Sequence, residues 1–392
     1  MSLARLETAQ VQDQRLLVRL DFDGILDKAG KVTDTFRLEA ILPTLELLRQ
    51  RGAALILLGH AGDATRPAPF EGLAQELSKR LNTEVRAMAE IAGDTSRSTV
   101  QALAAGDVLL LPNLAVFEGE RKNDKQFANQ LAALGDGFVN EAFGSSRSTV
   151  ASLSGLASRL PSWAGLNLYR EVEMATLLAS REARPLSFLL GGVQLGNRIA
   201  LLRQYLERLS TVMIGGGIAY TFLKSRAVPV GASLVERELE VPAFQTIERA
   251  ELAEAELVLP TDHVVADGLT AKAKTRIVSQ SGIPDGWLGV DVGPKTLARF
   301  EKTLKAAATV LWYGPLGMLE MDRFAKGTEA IAKSLSKHKG RVIVAGTDTV
   351  RAVHQMGLTD RFTHLSTDGR SLLDLMMGQR LAALTALESA QN

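Results

Sequence analysis

Residues 16–59 read LLVRLDFDGILDKAGKVTDTFRLEAILPTLELLRQRGAALILLG, and this stretch predicts a strand, a helix and a second strand. Two apolar runs, LLVRLDF at 16–22 and AALILLG at 53–59, flank a helical pattern that extends from Arg37 to Arg51. Strands that are apolar through most of their length are typical of sheets covered on both faces. A helix between two such strands lets the second strand return parallel to the first. The stretch therefore predicts a parallel α/β sheet.

The same alternation continues along the chain. In the first half, a helix is expected near Glu71–Leu81, and strands are expected at DVLLLPNL (107–114) and GFVNEAF (137–143). A helical segment at 170–182 precedes a second series of predicted strands: LSFLLGG (186–192), TVMIGGG (211–217), ELVLPTDHVVAD (256–267), TVLWYGP (309–315), RVIVAGTD (341–348) and THLSTDG (363–369). We therefore expect two doubly wound, Rossmann-like α/β domains with parallel sheets, joined by that helix.

Composition and charge exclude several classes of protein. The chain has 392 residues, of which 46% are hydrophobic and 23% charged, so it is not disordered or fibrous. The net charge of +1 gives no reason to expect a nucleic acid or an anionic membrane as a partner. The absence of cysteine excludes disulfides, cysteine-ligated metals and a thiol nucleophile. The sequence has no recognisable secretory signal or membrane-spanning run, so we expect a cytoplasmic protein that acts on small molecules.

Four predicted strands of the second half end in glycine-bearing turns, at 191–192, 215–217, 314–317 and 346–349. Ligands of doubly wound sheets bind beyond the carboxyl ends of the strands, where glycine lets them approach the backbone and helix N-termini accept phosphate. Asp348 in the last turn can bind Mg²⁺ beside a phosphate. Tight strand-to-helix packing explains any single turn more simply, whereas four such turns favour a nucleotide-phosphate site.

Polar residues also follow the first two predicted strands. Asp21 and Asp23 end the first strand, Arg37 begins the next helical segment and His60 follows the second strand. Acidic side chains at a strand end can orient a polar ligand or bind a metal, and His60 can hydrogen-bond an anionic substrate. An ordinary surface loop and a histidine satisfied by the protein itself are the competing explanations.

Three common active-site signatures are absent. The sequence contains no G-x-x-x-x-G-K-[ST] and no G-x-S-x-G, which disfavours a P-loop NTPase and an α/β-hydrolase. In GGGIAY, Tyr220 stands where the dinucleotide-binding pattern G-x-G-x-x-G needs its last glycine. A dinucleotide dehydrogenase is therefore also disfavoured.

Several longer stretches resemble phosphoglycerate kinases. They are VRLDF (18–22), KVTDTFRLEAILPTL (31–45), NEAFG (140–144), IGGGIAYTFLK (214–224), LPTDHVVAD (259–267), IPDGWLGVDVGPKT (283–296), WYGPLGMLE (312–320), FAKGT (324–328) and AGTDT (345–349). The resemblance extends from about Leu16 to Leu384. It implies a bilobed kinase that moves a phosphoryl group between 1,3-bisphosphoglycerate and ADP.

The resemblance also implies a division of the chain. An N-terminal domain at 1–168 would bind 3-phosphoglycerate, and an interdomain helix would occupy 169–184. A C-terminal domain at 185–372 would bind Mg-ADP or Mg-ATP. The segment at 373–392 would pack back on the N-terminal domain.

For the nucleotide, the resemblance implies a nearly complete set of residues. Glu320 matches a carboxylate that binds the ribose, and Asp348 matches the metal-associated aspartate. Arg198 replaces a phosphate-binding lysine and keeps its positive charge, in a catalytic position. The phosphate-binding turn and the adenine pocket match Gly346, Thr347 and Thr349, and Gly215, Gly216, Leu288, Gly289 and Pro315. The departures from the family pattern are Gln194 for a second lysine, Tyr313 for an asparagine, and Asp368 and Arg370 within a glycine run.

For the other substrate, the resemblance is less complete. Asp21, Arg37 and His60 match, and Arg37 corresponds to the catalytic arginine that neutralises charge on the transferred group. Asp23 replaces an asparagine. Three arginines of the anion-binding patch are replaced by Asp63, Ala115 and Ser148, with Arg66 and Arg147 close by in the sequence. A hydrogen bond to a charged group is worth ~1.5–3 kcal/mol, so these losses weaken capture of the 3-phosphate by on the order of 100-fold even without full additivity.

Two functions remain open at this point. The first is an active phosphoglycerate kinase, or a kinase of this type for a different carboxylate substrate. The second is a nucleotide-binding paralogue without turnover. Both imply binding of ATP or ADP with Mg²⁺, and for both we expect a monomer.

Overall fold

The computed structural model describes residues 3–27, 31–61, 70–91, 93–279 and 281–390, which form two compact units. The first unit comprises Met1–Glu173 and Gly378–Asn392, and the second comprises Met174–Met377. Each contains a six-stranded sheet in which every pair of neighbours is parallel. The predicted fold class, two doubly wound α/β domains, is confirmed.

The helices and strands are numbered in chain order. The strands are β1 (Arg15–Asp21), β2 (Ala54–His60), β3 (Val85–Ala87), β4 (Val108–Leu110), β5 (Gly137–Asn140), β6 (Ser162–Ala164), β7 (Leu186–Leu190), β8 (Leu209–Ile214), β9 (Glu256–Val258), β10 (Asp262–Ala266), β11 (Thr275–Ser279), β12 (Leu288–Val292), β13 (Thr309–Tyr313), β14 (Arg341–Ala345) and β15 (His364–Leu365). The α-helices are α1 (Thr35–Gln50), α2 (Glu71–Leu81), α3 (Asp94–Gln101), α4 (Glu118–Arg121), α5 (Lys125–Ala132), α6 (Leu166–Ala179), α7 (Gly196–Tyr205), α8 (Ile218–Ser225), α9 (Glu240–Leu252), α10 (Pro294–Leu304), α11 (Lys326–Leu335), α12 (Thr347–Gln355), α13 (Gly369–Met376) and α14 (Ala382–Ser389). A π-helix spans Ala151–Gly155, and short 3₁₀ helices lie at Leu6–Thr8, Leu114–Val116, Arg181–Ala183, Leu206–Arg208, Arg237–Leu239, Asp322–Phe324 and Thr359–Arg361.

The order of the strands places the ends of the central ones together. The order is β3-β4-β2-β1-β5-β6 in the first unit and β15-β14-β13-β7-β8-β9 in the second. Both faces of the central strands are covered, since Leu16, Leu17 and Val18 on β1 are all fully buried. Because parallel strands all point the same way, their carboxyl ends meet at one edge of each sheet, where ligands of such folds bind.

The prediction of one strand at 256–267 is wrong. Residues 256–258 form β9 at the edge of the parallel sheet, whereas β10 pairs antiparallel with β11 and β12 in a separate three-stranded sheet. Pro260 lies between β9 and β10 and has no N–H to donate to a ladder. The sequence pattern does not predict β11, because most of its side chains are exposed and it lacks an apolar run.

Several predicted boundaries are also wrong. The strands expected at 107–114, 137–143 and 363–369 are shorter, as β4, β5 and β15. After β4, the Asn113 side chain accepts from the Ala61 N–H at 3.2 Å and donates to the Ala61 carbonyl at 2.6 Å, so this segment departs from the strand ladder. The helix expected at 170–182 is α6, which both begins and ends earlier.

The start of α6 depends on the buried carboxylate of Glu141. Its Oε1 accepts from the Asn167 N–H at 3.0 Å and from the Thr44 hydroxyl at 2.6 Å, and its Oε2 accepts from the Leu168 N–H at 3.0 Å. These bonds satisfy N–H groups of the first turn that have no acceptor within the helix. Burial raises the pKa of Glu141 to about 7. A cap contributed by a side chain so far along the chain explains why the local pattern misplaces the helix start.

We expect E141Q to reduce the pH dependence of stability. The pKa of Glu141 is raised from 4.5 to about 7, so the folded chain holds this proton more tightly than the unfolded chain. The resulting stabilisation is complete below about pH 4.5 and is lost as the pH rises through about 7, by on the order of 3 kcal/mol. Urea unfolding across this range should show a smaller decrease in E141Q than in the unsubstituted chain. A decrease remains in E141Q because burial also raises the pKa of Asp291 to about 7.

The control is E173Q, which removes an exposed carboxylate of the same helix that pairs with Arg170. It should retain the pH dependence of the unsubstituted chain. Parallel stability curves for E141Q and the unsubstituted chain would contradict the prediction.

Candidate functional site

In the first unit, the predicted substrate residues lie at the carboxyl ends of β1 and β2. Asp21 and His60 are neighbours in the strand register. Arg37 lies in the first turn of α1, and its Nη1 donates to the Asp23 carbonyl oxygen at 2.8 Å. Gly24 has a φ of +74°, and a Cβ added there would lie 3.1 Å from the Arg37 guanidinium. The loop after β1 therefore folds against Arg37, and the structure brings these four predicted residues to one edge of the sheet.

A buried polar network lies behind His60, and sequence reasoning does not identify it. Glu120 of α4 is fully buried, and its Oε1 lies 2.8 Å from His60 Nε2. Ser152, in the π-helix, donates to the same carboxylate from Oγ at 2.5 Å and from its backbone N–H at 2.9 Å. The fully buried Arg19 donates to Ser152 Oγ at 3.0 Å and lies 3.5 Å from Asp21. The network thus connects His60 to Asp21 through the interior. Its one visible sign in the sequence is Arg19, a charged residue inside the apolar run LLVRLDF at 16–22.

The turn after β5 carries Arg147. Its neighbour Ser145 donates its backbone N–H to Asp21 Oδ2 at 3.1 Å, and the Ser145 hydroxyl bonds the other carboxylate oxygen. The Ser148 N–H donates to the Ser145 carbonyl at 2.9 Å, which closes the turn. Arg147 is exposed on this turn, so it lies near the edge that holds Asp21.

The replaced arginines of the anion patch differ in their surroundings. Arg121 Nη1 donates to the Ala115 carbonyl at 2.7 Å, which puts a guanidinium beside a position where the resemblance implies an arginine. Ser148 is exposed. Asp63 and Arg66 lie outside the described residues. The roles of all these side chains toward a substrate stay predictions.

In the second unit, three turns at the carboxyl ends of β7, β8 and β13 pack backbone against backbone. The Gly192 N–H donates to the Pro315 carbonyl at 2.8 Å. A Cβ added to Gly191 would lie 2.2 Å from the Pro315 oxygen, one on Gly216 2.5 Å from the Gly192 nitrogen, and one on Gly314 2.4 Å from the Gly191 oxygen. No side chain fits at these positions. Contact between the turns therefore requires these glycines, whatever they contribute to ligand binding.

Arg198, in the first turn of α7, is a buried cation. Its guanidinium carbon lies 4.5 Å from the centroid of the Tyr313 ring. A Cβ added to Gly192 would lie 3.1 Å from Arg198 Nη2, so the guanidinium is held between the ring and the first glycine turn. Its Nη1 donates to the Gln194 carbonyl oxygen. Burial lowers the pKa of Arg198 and raises that of Tyr313.

The turn after β14 leads directly into α12. Gly346 has a φ of +92°, and the residues at 347–349 form the first turn of the helix, where N–H groups lack helical acceptors. Thr349 is fully buried, and its hydroxyl has no hydrogen-bond partner among the described residues. Asp348 is exposed and lies 3.7 Å from Arg351. Thr347 and Asp348 are therefore accessible at the start of this helix.

These residues fit a magnesium ion that arrives with a nucleotide. In the described ranges, no three His, Cys, Asp or Glu side chains cluster as a metal site. Mg²⁺ usually keeps several waters and binds one or two carboxylates together with substrate phosphates. The exposed carboxylate of Asp348 beside a helix N-terminus meets that requirement.

The residues predicted for adenine and ribose lie along two connected segments. Gly215, Gly216 and Pro315 belong to the three packed turns, whereas Leu288 and Gly289 begin β12. The Met318 N–H donates to the Val290 carbonyl at 3.1 Å, so the segment from Pro315 onward runs beside β12. A Cβ added to Gly289 would lie 1.9 Å from the Tyr220 hydroxyl, which leaves room only for glycine there. Glu320 is exposed in the turn that follows.

Asp368 caps α13. Its carboxylate accepts from the Arg370 N–H at 3.1 Å and from the Ser371 hydroxyl at 2.9 Å. Asp368, which interrupts the glycine run expected from the resemblance, therefore caps this helix with a carboxylate.

A cavity of about 730 Å³ lies in the first unit at the opposite edge of the sheet. Residues 7–13, 50–52 and 105 line it, and it contains none of the predicted site residues.

Comparison with known proteins identifies the family of this chain. A family model described as phosphoglycerate kinase matches residues 6–379. A phosphoglycerate kinase of Leptospira biflexa is 42% identical over 391 residues, which cover 99% of this chain and 98% of that protein. The chain belongs to the phosphoglycerate kinase family.

Further members of the phosphoglycerate kinase family are similar over their whole length. A cytosolic phosphoglycerate kinase of Nicotiana tabacum is 36% identical over 396 residues, with 99% of both chains covered. The solved phosphoglycerate kinase structure from Coxiella burnetii matches with a TM-score of 0.86 and 31% identity, covering 100% of both chains. In the described part of this family member, no helix is both long and apolar enough to cross a membrane.

We expect E120Q to destabilise the first unit strongly. The substitution removes the negative charge that Ser152 links to buried Arg19, and it turns an amide donor toward groups that already donate. Breaking such a buried network should lower the free energy of unfolding by about 2–4 kcal/mol in urea titrations. E118Q, which removes an exposed carboxylate from the same short helix, should change it little. Equal effects of the two substitutions would contradict a special role for Glu120.

Proposed function

We propose that this chain catalyses reversible phosphoryl transfer between Mg-ATP and the carboxylate of 3-phosphoglycerate, giving Mg-ADP and 1,3-bisphosphoglycerate. One observation carries the proposal: each unit presents its own set of predicted ligand residues at the carboxyl edge of a six-stranded parallel sheet. Membership of the phosphoglycerate kinase family over residues 6–379 supports the same reaction.

The first unit suits a small anionic substrate. We assign Arg37, held by the Asp23 carbonyl, to the reacting carboxylate, where it neutralises charge on the transferred group. His60, held by Glu120, and the exposed Arg147 are assigned to the 3-phosphate. Asp21 and Asp23 orient the substrate between them.

Capture of the 3-phosphate is expected to be weak. Ala115 and Ser148 contribute no charge, so among the described residues the guanidinium groups of Arg121 and Arg147 supply positive charge for the 3-phosphate, apart from Arg37 at the reacting carboxylate. The 3-phosphoglycerate concentration that gives half-maximal rate in the assay below reports the strength of this capture. Saturation at low concentration would contradict the expectation.

The second unit suits the nucleotide. We assign Arg198 and the first turn of α12, with Gly346, Thr347 and Thr349, to the phosphates, because the described residues leave Arg198 Nε without an acceptor and α12 begins at this edge. Asp348 would hold the metal and Glu320 the ribose. The adenine would contact Gly215, Gly216, Leu288, Gly289 and Pro315.

The phosphoryl group passes directly between the two substrates, so the protein forms no covalent bond to it. The bond between the γ-phosphorus and its bridging oxygen breaks, and a bond from a carboxylate oxygen to that phosphorus forms. A carboxylate has no proton to lose, so the reaction needs no general base. Magnesium bound with the nucleotide supplies neutralisation of the phosphate oxygens. Arg37 contributes positive charge at the carboxylate and Arg198 at the nucleotide phosphates, and each sheet edge orients its own reactant.

We also propose that the protein is a monomer located in the cytoplasm. The Nicotiana tabacum relative is named cytosolic, and nearly complete coverage of both chains extends that expectation here. Size-exclusion chromatography with light scattering tests the oligomeric state, and a stable dimer would contradict it. Fractionation of the source cells tests the location.

A coupled assay that follows ADP release from Mg-ATP tests the reaction. ADP should form only when 3-phosphoglycerate is present. R37A should lower kcat by about 10²–10³-fold with the KM for ATP little changed. R37K, which keeps the charge but loses the guanidinium fork, should fall between.

Other outcomes of this assay are equally informative. Calorimetric binding of Mg-ADP without turnover would support a non-catalytic paralogue, and turnover with a different carboxylate would redefine the substrate. Failure to bind Mg-ADP would contradict the assignment of the second unit.

A further inference from the structure

Arg198 is a buried charge that forms no ion pair in the described part of the chain. It is 7% exposed. Burial lowers the pKa of its guanidinium, and the nearby Tyr313 and Glu236 oppose that shift only through space. Taking a cation out of water is costly unless it is paired, so such groups are rarely left alone. Only its Nη1 has a hydrogen bond, to the Gln194 carbonyl, whereas its Nε is buried without an acceptor among the described residues.

The Tyr313 ring supplies the compensating interaction. The guanidinium lies over its face at 4.5 Å from the centroid, and such contacts are strongest where water is excluded. The ring also lies close to two glycine-bearing turns. A Cβ added to Gly346 would lie 3.0 Å from Tyr313 Cε2, and one added to Gly369 would lie 2.8 Å from it. The ring therefore fills the space between Arg198 and two backbone turns and has no room to turn away.

We infer that Tyr313 is a positioning residue for the nucleotide, whose ring holds the Arg198 guanidinium in place beside the first glycine turn for contact with a phosphate oxygen. The identity of the anion rests on the function proposed above, whereas the stacking of Arg198 on the ring does not. A guanidinium that is ordered before the ligand arrives loses less conformational freedom on binding. The Tyr313 hydroxyl has no part in this role, so phenylalanine can replace tyrosine.

The competing explanation is that Tyr313 only fills space at the end of β13. In that case its loss would destabilise the unit and weaken binding whether or not Arg198 were present. Positioning, by contrast, acts through Arg198 and disappears when Arg198 is removed. The two explanations therefore differ in a double-mutant cycle.

The first test needs no nucleotide. Full-length protein is treated with phenylglyoxal, and modification of Arg198 is followed by mass spectrometry. We expect Arg198 to react slowly in the unsubstituted chain and in Y313F, and several-fold faster in Y313L. The exposed Arg208, which lies 5.5 Å from the Tyr205 ring, is an internal control whose rate should not change. Equal reactivity of Arg198 in Y313L and Y313F would overturn the inference.

The second test measures Mg-ADP affinity by calorimetry. Y313L should bind about 5- to 30-fold more weakly than the unsubstituted chain, while Y313F should stay within about twofold. In the R198M background, Y313L should cause no further loss. Equal losses in both backgrounds would overturn the inference in favour of simple packing.

The tests still give an answer if Y313L does not fold or if the unsubstituted chain does not bind Mg-ADP. If Y313L does not unfold cooperatively, Y313M replaces it, since methionine also lacks an aromatic face and packs adaptably. If the unsubstituted chain does not bind Mg-ADP, the proposed function fails, and the Arg198 reactivities alone decide whether Tyr313 positions that side chain.

Discussion

Backbone atoms of three turns touch one another at the carboxyl ends of β7, β8 and β13, and this contact fixes the edge that carries the residues predicted to bind the nucleotide. Gly191, Gly216 and Gly314 each lie so close to a neighbouring turn that no Cβ fits. Close-packed backbones have few alternative arrangements, so the separation of the three strand ends is set before any ligand binds. These turns also determine where Arg198 and Tyr313 lie. Arg198 packs against the turn after β7, and Tyr313 directly precedes the turn after β13.

The first unit positions its site residues in a different way. There, a buried chain of hydrogen bonds runs from His60 through Glu120, Ser152 and Arg19 to Asp21. Buried charges are costly, but a network in which the members satisfy one another leaves little freedom to any of them. One unit therefore relies on glycine and close backbone contact, and the other on buried polar side chains, to hold residues at equivalent edges of two similar sheets.

The sequence predicts the strands and helices better than the contacts between residues that are far apart in the chain. Alternating apolar runs predict both parallel sheets, because strands buried on both faces need apolar residues throughout. The contact between Arg198 and Tyr313 joins residues far apart in the chain, and no local pattern reveals it. Glu120 lies in a short, highly charged helix whose sequence suggests a solvated surface, yet its side chain is fully buried and bonds His60 and Ser152. The antiparallel sheet is missed for a related reason, since β11 is mostly exposed.

The central claim is that backbone contact among the three turns shapes the proposed nucleotide site. The Mg-ADP dissociation constants of G314A and G357A test it most directly. Both glycines have positive φ, but an added Cβ would lie 2.4 Å from a carbonyl oxygen at Gly314 and would meet nothing within 4 Å at Gly357. We predict that G357A binds Mg-ADP within about twofold of the unsubstituted chain and only loses some stability to backbone strain. We predict that G314A binds more than about tenfold more weakly or no longer unfolds cooperatively. Unchanged Mg-ADP affinity in a stably folded G314A protein would contradict the claim.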